Sequence, residues 1–532
     1  MPWIGHRAGW LVAGALVALV PALWMWGFTV DDALISVRYA RHVLDGVGWR
    51  FDAAGPPTDG VTPLPWPAVL APLAWGSALG VLARAKLVGL AAWTAAAAGL
   101  GGAMGRVDGP GAAGTGDGVV LRAARAGRKV VPLLVLALSV PVAAHAVSGM
   151  ETAVATSLAT FAVLSAGRPM RAAVLAGLAA AFRPEMAPWA CVLAAGLAIV
   201  ARPGARAGAG GSEGARSGPG HVVAAAGVAL VPFAACALVR VVVWGRPAPL
   251  ALMAKPSDVD HGLAYAGAAL VVTLLPVLVL APFALARAVR AGGPPARAVV
   301  FVVAAAVHLL AVVTVGGDWM PYARLVVPVL PSLALAAALL APHAHPVATG
   351  ARAAVALVLG VVLVGRGGTD GRRVGPDRAA LVQAATPALA SCARVASLDV
   401  GWVSAATEGE IVDLAGVTDP AIAALPGGHT SKRVDARLLL DRGVDAVLLY
   451  LPRGLPGGDI LRWPEAVYER AVEYRLATDP TLHSHFEAAR WLRLGDRGAG
   501  YVLLRARGDA PLPVDDARKP APATGEPASG AH

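Results

Sequence analysis

Long, uninterrupted apolar runs are the feature that most limits how this chain can fold. The first, Trp10 to Phe28, is followed by many others up to about residue 366. Several have the roughly 20 residues that a helix needs to cross about 30 Å of hydrocarbon. The composition agrees, because 57% of the 532 residues are hydrophobic and only 15% are charged, whereas soluble domains carry about 25% charged residues. The sequence therefore predicts a polytopic α-helical membrane protein.

The apolar runs predict about eleven spans. A signal peptide is the alternative for the first run, but no small-residue cleavage site follows it. The stretch from Val61 to Leu82 is apolar too, yet it holds four prolines that would leave backbone groups unsatisfied in lipid. We expect this stretch to be re-entrant or interfacial. The expected spans cover residues 10–28, 84–104, 131–147, 152–167, 172–184, 186–201, 221–243, 263–286, 298–315, 324–341 and 352–366.

The distribution of positive charge orients these spans. The net charge is +11, and the arginines lie mainly in short loops between apolar runs. Arg and Lys in short loops collect on the cytoplasmic side, so the arginine-rich loop 105–129 is expected inside, together with the N-terminus. The sequence has no basic stripe interleaved with aromatic residues, so it does not indicate nucleic acid as a partner. We expect a multi-pass protein of the cell (inner) membrane.

A change of composition after the last span predicts a second domain. Residues 1–366 form the membrane module, with a first outer loop at 29–83, and residues 367–507 read as an extracytoplasmic α/β domain. Strands are expected near 395–398, 411–414, 444–450 and 501–504, with helices near 431–442 and 464–474. Residues 202–220 read as a flexible insertion and 508–532 as a disordered tail. The three cysteines are too few and scattered for a disulfide framework or metal site.

Five loops on the expected outer face carry carboxylates and cations where spans enter the lipid. Ionisable residues at such positions are costly and tend to be functional. The resulting candidates are Asp31, Asp32, Arg38, Tyr39, Asp59, Thr62, Glu151, Arg183, Glu185, Lys255, Asp318, Trp319 and Arg324.

The adjacent acids Asp31 and Asp32 have two interpretations. They precede what reads as a helix, with Thr29 as N-cap and Asp32 in a capping box, so they could simply complement the helix dipole. However, two adjacent acids point about 100° apart on a helix, so one can cap while the other faces a cleft. A neighbouring like charge also raises a carboxyl pKa, which suits a general base. We favour a catalytic role, mainly for Asp31.

The cations of the same face also have two interpretations. Lys255 and Arg324 could snorkel to the interface, or they could bind a phosphate-bearing lipid together with Arg183. Glu151 and Glu185 are expected to pair with Arg183 or with other nearby cations. Belt aromatics at the interface are Trp66, Trp319 and Tyr322, with sugar stacking as the alternative.

These residues occur in motifs that resemble a known superfamily. The run Asp31-Asp32-Ala-Leu-Ile-Ser-Val-Arg38-Tyr39, followed by Asp59-Gly-Val-Thr62-Pro-Leu-Pro-Trp66, resembles the first outer loop of GT-C glycosyltransferases. Within that superfamily the chain is most similar to the terminal β-(1→2)-arabinofuranosyltransferases of mycobacterial and corynebacterial cell walls. Further motifs in the same order are Ser148–Thr152, Phe182–Glu185, Ala254–Pro256, Gly316–Arg324 and Asp413–Pro420.

The resemblance implies a GT-C membrane enzyme that transfers a sugar from a polyprenyl monophosphate to an acceptor hydroxyl, such as that of a cell-envelope glycan, at the outer face. Asp31 would be the base, while Lys255, Arg324 and Arg183 would stabilise the departing phosphate in an inverting single displacement. Asp32 would share the catalytic role, and the residues that would position substrate are Arg38, Tyr39, Asp59, Thr62, Glu151, Glu185, Asp318 and Trp319. No cofactor is required, although a divalent cation at Asp31, Asp32 and Asp318 is compatible with this chemistry.

Other functions remain open at this point. Related GT-C enzymes transfer mannose to protein or aminoarabinose to lipid A, so the sugar and the acceptor could differ. A non-enzymatic lipid or solute transporter is the alternative from another class. It predicts ionisable residues at mid-bilayer and repeated halves, and the sequence shows neither feature clearly.

Overall fold

The structure is a computed structural model, and it describes residues 2–106, 127, 130–201, 219–255 and 257–508. It is mostly helical, with a small C-terminal sheet. Most of the expected cytoplasmic loop 105–129, residues 202–218 of the expected insertion, Pro256 and the expected tail from residue 509 onward lie outside the described residues.

The membrane module is built from helices that follow the apolar runs in order. Ser77 starts one of them by accepting a hydrogen bond from the Gly80 backbone N–H, as N-cap residues do. The helices are α1 Pro2–Trp24, α2 Asp32–Leu44, α3 Pro65–Leu70, α4 Ala78–Met104, α5 at 130–137, α6 Val140–Ala146, α7 Thr152–Leu164, α8 Pro169–Phe182, α9 Ala187–Val200, α10 Pro219–Trp244, α11 Leu250–Ala254, α12 Val259–Ala269, α13 Leu275–Leu278, α14 Ala281–Arg290, α15 Ala296–Thr314, α16 Leu330–Leu340, α17 Pro346–Leu363 and α18 Thr369–Leu389.

Helix length corrects the expectation of eleven spans. Within the described ranges, five helical stretches are long and apolar enough to cross a membrane, and five further apolar helices are shorter. Prolines and turns break up the apolar runs. The expected span 131–147, for example, is interrupted at Ser139, where Pro141 follows within the first turn of α6. The five long stretches are Ala78–Met104, Pro219–Trp244, Val259–Leu278, Ala296–Thr314 and Pro346–Leu389.

The proline-rich segment from Val61 to Leu82 holds no helix of spanning length of its own. It forms the six-residue α3, a 3₁₀ turn at Ala71–Leu73 and the first turn of α4. Pro65 occupies the first position of α3, where the missing N–H costs nothing. The re-entrant or interfacial placement of this stretch stays a prediction.

The C-terminal part is the predicted α/β arrangement. Five strands form one mixed sheet in the order β2-β1-β3-β5-β4, with β1 parallel to β2 and β3, and β5 antiparallel to β3 and β4. The strands are β1 Arg394–Ser397, β2 Glu410–Asp413, β3 Ala446–Leu451, β4 Phe486–Arg493 and β5 Gly500–Ala506. Its short helices are α19 Val400–Ala406, α20 Pro420–Ala423, α21 Ala436–Asp441, α22 Ala471–Ala477 and α23 Pro480–His485. Asp419, Asp435 and Asp479 cap three of them.

The two parts of the chain are joined by a continuous helix and by side-chain contacts. α17 and α18 run on through a π-helical turn at Val364–Gly368, so the expected boundary at 366/367 falls inside one helical stretch. Helix α2 packs against α19, which belongs to residues 390–508. We call these residues the outer domain after the side of the membrane on which they are expected. Membrane module and outer domain therefore share an interface along α2.

Arg38 is the main connection across this interface. Its buried guanidinium donates to the backbone oxygens of Thr407 at 2.9 Å and Gly409 at 2.8 Å in the outer domain. It also donates to the Phe51 oxygen at 2.6 Å and pairs with Asp52 at 3.2 Å. The expected substrate-positioning role of Arg38 is therefore replaced by a docking role.

We predict that Arg38→Ala lowers the free energy of unfolding by roughly 3–5 kcal/mol, because it leaves buried partners without their cation. The neighbouring Arg41 is the matched control. It pairs across the same interface with Glu408, a side chain that is 70% exposed, so Arg41→Ala should cost about 1 kcal/mol or less. Denaturation of the full chain in detergent measures both values. Equal losses for the two variants would contradict the docking role.

Candidate functional site

Most of the candidate residues of the expected outer loops surround one cavity of about 870 Å³. Its walls come from α2, the loops near residues 60, 150 and 185, helices α9, α10 and α15, the loop before α16, and Val417 of the outer domain. The ionisable residues on its lining are Asp32, Glu151, Arg183, Glu185, Arg240, Lys255, Asp318 and Arg324. The structure thus brings most of the expected site residues together.

One wall of the cavity is an apolar helix face. Leu230, Phe233 and Ala237 line it from α10, and Arg240 follows on the same face. These positions extend over about ten residues, or about 15 Å at 1.5 Å per residue. Opposite faces of α10 expose apolar side chains such as Val242, which is 76% exposed. The cavity therefore combines charged walls with an apolar wall, which comes from a helix that has the composition of a membrane span.

The two adjacent acids have different surroundings, which corrects the assignment of Asp31. The carboxylate of Asp31 accepts hydrogen bonds from the backbone N–H groups of Gly401 at 2.7 Å and Trp402 at 2.9 Å, and Arg378 lies 3.4 Å away. Asp31 therefore holds the start of α19 in the outer domain and is absent from the cavity lining. Asp32 lines the cavity, and its carboxylate makes no hydrogen bond or ion pair within the described part of the chain.

The local structure explains this division. Helix α2 begins at Asp32, and Thr29 donates to the Ser148 backbone oxygen at 3.0 Å, so the expected capping box is not formed. At position 401 a Cβ atom would lie 2.1 Å from the Asp31 backbone oxygen, so this close approach of α19 requires glycine. Burial, aided by the nearby Asp399 and Asp32, raises the pKa of Asp31 to about 6, although Arg378 and the Gly401 N–H oppose the shift.

Arg183 pairs with both glutamates, as the sequence suggested. Its Nη1 donates to Glu151 at 2.8 Å, and its Nε lies 2.7 Å from Glu185 in an ion pair that lacks hydrogen-bond alignment. The Arg183 Nη2 and the Glu151 Oε2 are buried with no hydrogen-bond partner in the described residues. Such buried unsatisfied groups are rare in folded proteins, and both residues line the cavity.

A strained loop positions Arg324. Tyr322 and Ala323 have φ angles of 63° and 49°, in the left-handed region that costs non-glycine residues about 1–3 kcal/mol each. The Nε of Arg324 then lies 2.7 Å from Asp318. Burial favours the neutral form of Asp318, but the charges of Arg324, Lys255 and Arg183 outweigh it and lower the pKa of this carboxyl.

Lys255 differs from these paired cations. It follows α11, is half-buried and lines the cavity. No hydrogen bond or ion pair engages its ammonium group in the described ranges, in contrast to Arg183, Arg240 and Arg324. Lys255 and Asp32 are thus the two cavity residues whose charges remain available.

Arg240 is a cavity residue that the sequence reasoning missed. Its Nε lies 2.8 Å from the buried Asp59, and its Nη2 donates to the backbone oxygens of Val61 at 3.1 Å and Thr62 at 2.8 Å. This pair fixes the loop whose Thr62 lines the cavity. The signal was an arginine inside an apolar helix, where a charge is costly. Asp59 therefore acts through Arg240 and does not line the cavity itself.

Three aromatic candidates lie away from this cavity. Tyr39 is fully buried, and its hydroxyl contacts Thr58 at 2.6 Å and accepts the Gly60 N–H. Trp66 is also buried and donates to the Gly149 oxygen at 3.2 Å, so it is not an interfacial belt residue. Trp319, in contrast, is 66% exposed and lines a neighbouring cavity.

The expected divalent-cation ligands do not converge. The Asp31 carboxylate is bonded to α19, and Asp318 is paired with Arg324. Within the described ranges no group of three His, Cys, Asp or Glu residues has a metal-binding arrangement. The donor set therefore does not fit a metal at Asp31, Asp32 and Asp318.

The chain was compared with known proteins by sequence and by structure. No family model matches it, and no curated protein or solved structure matches it either.

Proposed function

We propose that the protein is a membrane glycosyltransferase that takes a sugar, arabinofuranose in the first instance, from a polyprenyl monophosphate donor. The observation that carries this proposal is the cavity itself. Within the described chain, its lining contains an unpaired cation, Lys255, an unpaired carboxylate, Asp32, and the apolar face of α10. A polyprenyl monophosphate donor fits this combination, because its apolar chain can lie along α10 and its phosphate can contact Lys255. Asp32 then remains as the base for transfer of the sugar. No family match supports the sugar, which rests on the sequence motifs alone.

Phosphate binding would use the cations around Lys255. The Lys255 ammonium supplies an unpaired charge, and Arg324 and Arg183 lie on the same cavity lining. The Arg183 Nη2 lacks a partner among the described residues, which an anion would supply. Charge-assisted hydrogen bonds of this kind stabilise a complex by roughly 1.5–3 kcal/mol each. They also stabilise the additional negative charge of the departing phosphate.

Asp32 would be the general base. Its carboxylate takes the proton of the acceptor hydroxyl while that oxygen attacks the anomeric carbon of the sugar. The bond from the anomeric carbon to the phosphate oxygen breaks, and polyprenyl monophosphate leaves with the electron pair. Attack opposite to the leaving group inverts the anomeric configuration. Asp31 contributes indirectly, because it fixes α2 against the outer domain.

The proposed location is the cell (inner) membrane, with the N-terminus in the cytoplasm and the outer domain on the extracytoplasmic side. The arginine-rich loops of the sequence support this orientation. The acceptor is then a hydroxyl of a cell-envelope glycan, and the membrane lipid surrounds the apolar helices.

We predict that Asp32→Asn lowers turnover by roughly 10²- to 10⁴-fold, the usual contribution of a positioned base, while donor affinity persists. Asp31→Asn is the matched control, since it changes the adjacent acid in the same way. It should lower stability, because one backbone N–H loses its acceptor, and reduce turnover less than tenfold. The turnover of both variants is measured as release of polyprenyl monophosphate by the purified protein at saturating donor and acceptor. If Asp32→Asn keeps more than about a tenth of the activity, Asp32 is not the base.

We further predict that Lys255→Ala weakens binding of a polyprenyl monophosphate by about 10- to 100-fold, as expected for the loss of a charged contact. Lys255→Arg should retain most of the affinity. Arg84 provides the control, because it is a cation outside the cavity that packs on Trp75, so Arg84→Ala should leave the affinity unchanged. Native mass spectrometry in detergent gives the relative affinities. Equal affinity of Lys255→Ala and the unaltered protein would contradict the phosphate site.

A carrier function is an outcome of the same experiments. A protein that binds the lipid phosphate through Lys255 but releases no polyprenyl monophosphate from any polyprenyl-phosphate sugar, with acceptor glycans present, would be a lipid-binding protein and not a transferase.

A further inference from the structure

A second cavity of about 590 Å³ lies beside the first. Both cavities are lined by Lys255, Val315, Gly317 and Asp318, so these residues form a shared wall. The linings differ in character. The second cavity has no apolar helix face of the kind that α10 gives the first, and its lining is dominated by polar residues, among them Ser257, Asp258, Asp260, His261, His429, Thr430 and Ser431.

An aromatic pair forms part of the second cavity. The Trp319 indole stacks on the His261 imidazole, with ring centroids 4.1 Å apart and planes at 17°. His429, from the outer domain, lies 5.8 Å away from the indole. Trp319 nevertheless remains 66% exposed. A role as a membrane anchor alone does not explain why Trp319 stacks on His261 and lies next to His429 of the outer domain.

The histidines add hydrogen-bonding groups to this surface. The Nδ1 of His261 lies 2.6 Å from the Gly316 backbone oxygen and donates its hydrogen there. Burial, together with Lys255 and Arg470, lowers the pKa of His429 to about 4, so this ring is neutral at pH 7. A neutral imidazole both donates and accepts hydrogen bonds.

The acids of the second cavity are mostly engaged already. Asp258 accepts the His261 N–H as the cap of α12, and Asp318 is paired with Arg324. The Ser257 hydroxyl donates to the Thr314 backbone oxygen at 2.6 Å. The lining thus offers hydrogen-bond donors and acceptors beside an aromatic face. Among its described residues, unpaired charges of one sign do not dominate.

We propose that the second cavity binds the neutral saccharide acceptor, with the Trp319–His261 pair as its stacking surface. This inference rests on the proposed function and adds the acceptor site to it. A sugar ring has an apolar face of C–H groups, which the negative face of an indole attracts, and hydroxyls that pair with polar side chains. The shared wall places a saccharide in the second cavity next to the donor phosphate in the first.

The test is binding of neutral oligosaccharides to the full chain in detergent, measured by saturation-transfer NMR. The probes are arabinofuranosyl, mannosyl and glucosyl hexasaccharides. Trp319→Ala should weaken binding of the preferred probe about 30-fold or more, since truncation of a tryptophan at a binding surface costs about 2 kcal/mol or more. Trp319→Phe should keep most of the affinity, because it retains an aromatic face.

Trp75→Ala is the matched control, because Trp75 is 62% exposed but belongs to neither cavity. It should leave saccharide binding unchanged. Equal effects of Trp319→Ala and Trp75→Ala, or no binding of any probe by the unaltered protein, would overturn the inference.

Donor binding, measured on the same samples, separates this inference from the proposed function. Trp319→Ala should leave polyprenyl monophosphate affinity unchanged. Donor binding with no Trp319-dependent saccharide binding would refute the acceptor site alone. Trp319-dependent saccharide binding without any lipid-phosphate binding would refute the proposed transferase and leave a saccharide site in the second cavity.

Discussion

The pairing of charges at the mouth of the helical module is the constraint on which the rest of the structure depends. Charged groups near lipid are costly, and each buried one needs a partner. Arg183 pairs with Glu151 and Glu185, Arg240 with Asp59, and Arg324 with Asp318. These pairs fix the loops between the helices as cavity walls. They leave Asp32 and Lys255 as the two charged cavity residues without a partner in the described chain.

The outer domain contributes to this site by holding α2. Asp31 binds the first N–H groups of α19, and Arg38 donates to the loop between α19 and β2. Arg38 lies on α2 and Asp31 immediately precedes it, so docking of the outer domain fixes the position of the helix that begins with Asp32. Val417 from the same domain closes part of the cavity. This arrangement gives the outer domain a direct role in shaping the site.

The sequence predicted where the helices and strands lie better than it predicted how long the helices are. Apolar runs located the helices, because burial in lipid or in a helical core selects the same residues, but prolines shortened several of them below spanning length. Strands β1, β2, β3 and β5 are apolar runs and were found. Strand β4, Phe486–Arg493, was missed because it contains one glutamate and two arginines.

The site was predictable as a group of residues but not in its individual roles. The expected outer loops suggested Asp32, Lys255 and Arg324, which line the cavity, and the pairing of Arg183 with Glu151 and Glu185, which the structure shows. Sequence spacing could place Asp31 and Asp32 about 100° apart on a helix, but it could not decide which of them faces the cavity. That choice depends on α19, which lies about 370 residues further along the chain. A contact of this kind leaves no local pattern.

The most direct measurement of the central claim is an electron cryomicroscopy map of the full chain with a bound polyprenyl monophosphate. We expect the phosphate within hydrogen-bonding distance of the Lys255 ammonium and the Arg324 guanidinium, and the isoprenoid chain along Leu230, Phe233 and Ala237 of α10. A map with the lipid bound elsewhere and this cavity empty would contradict the account.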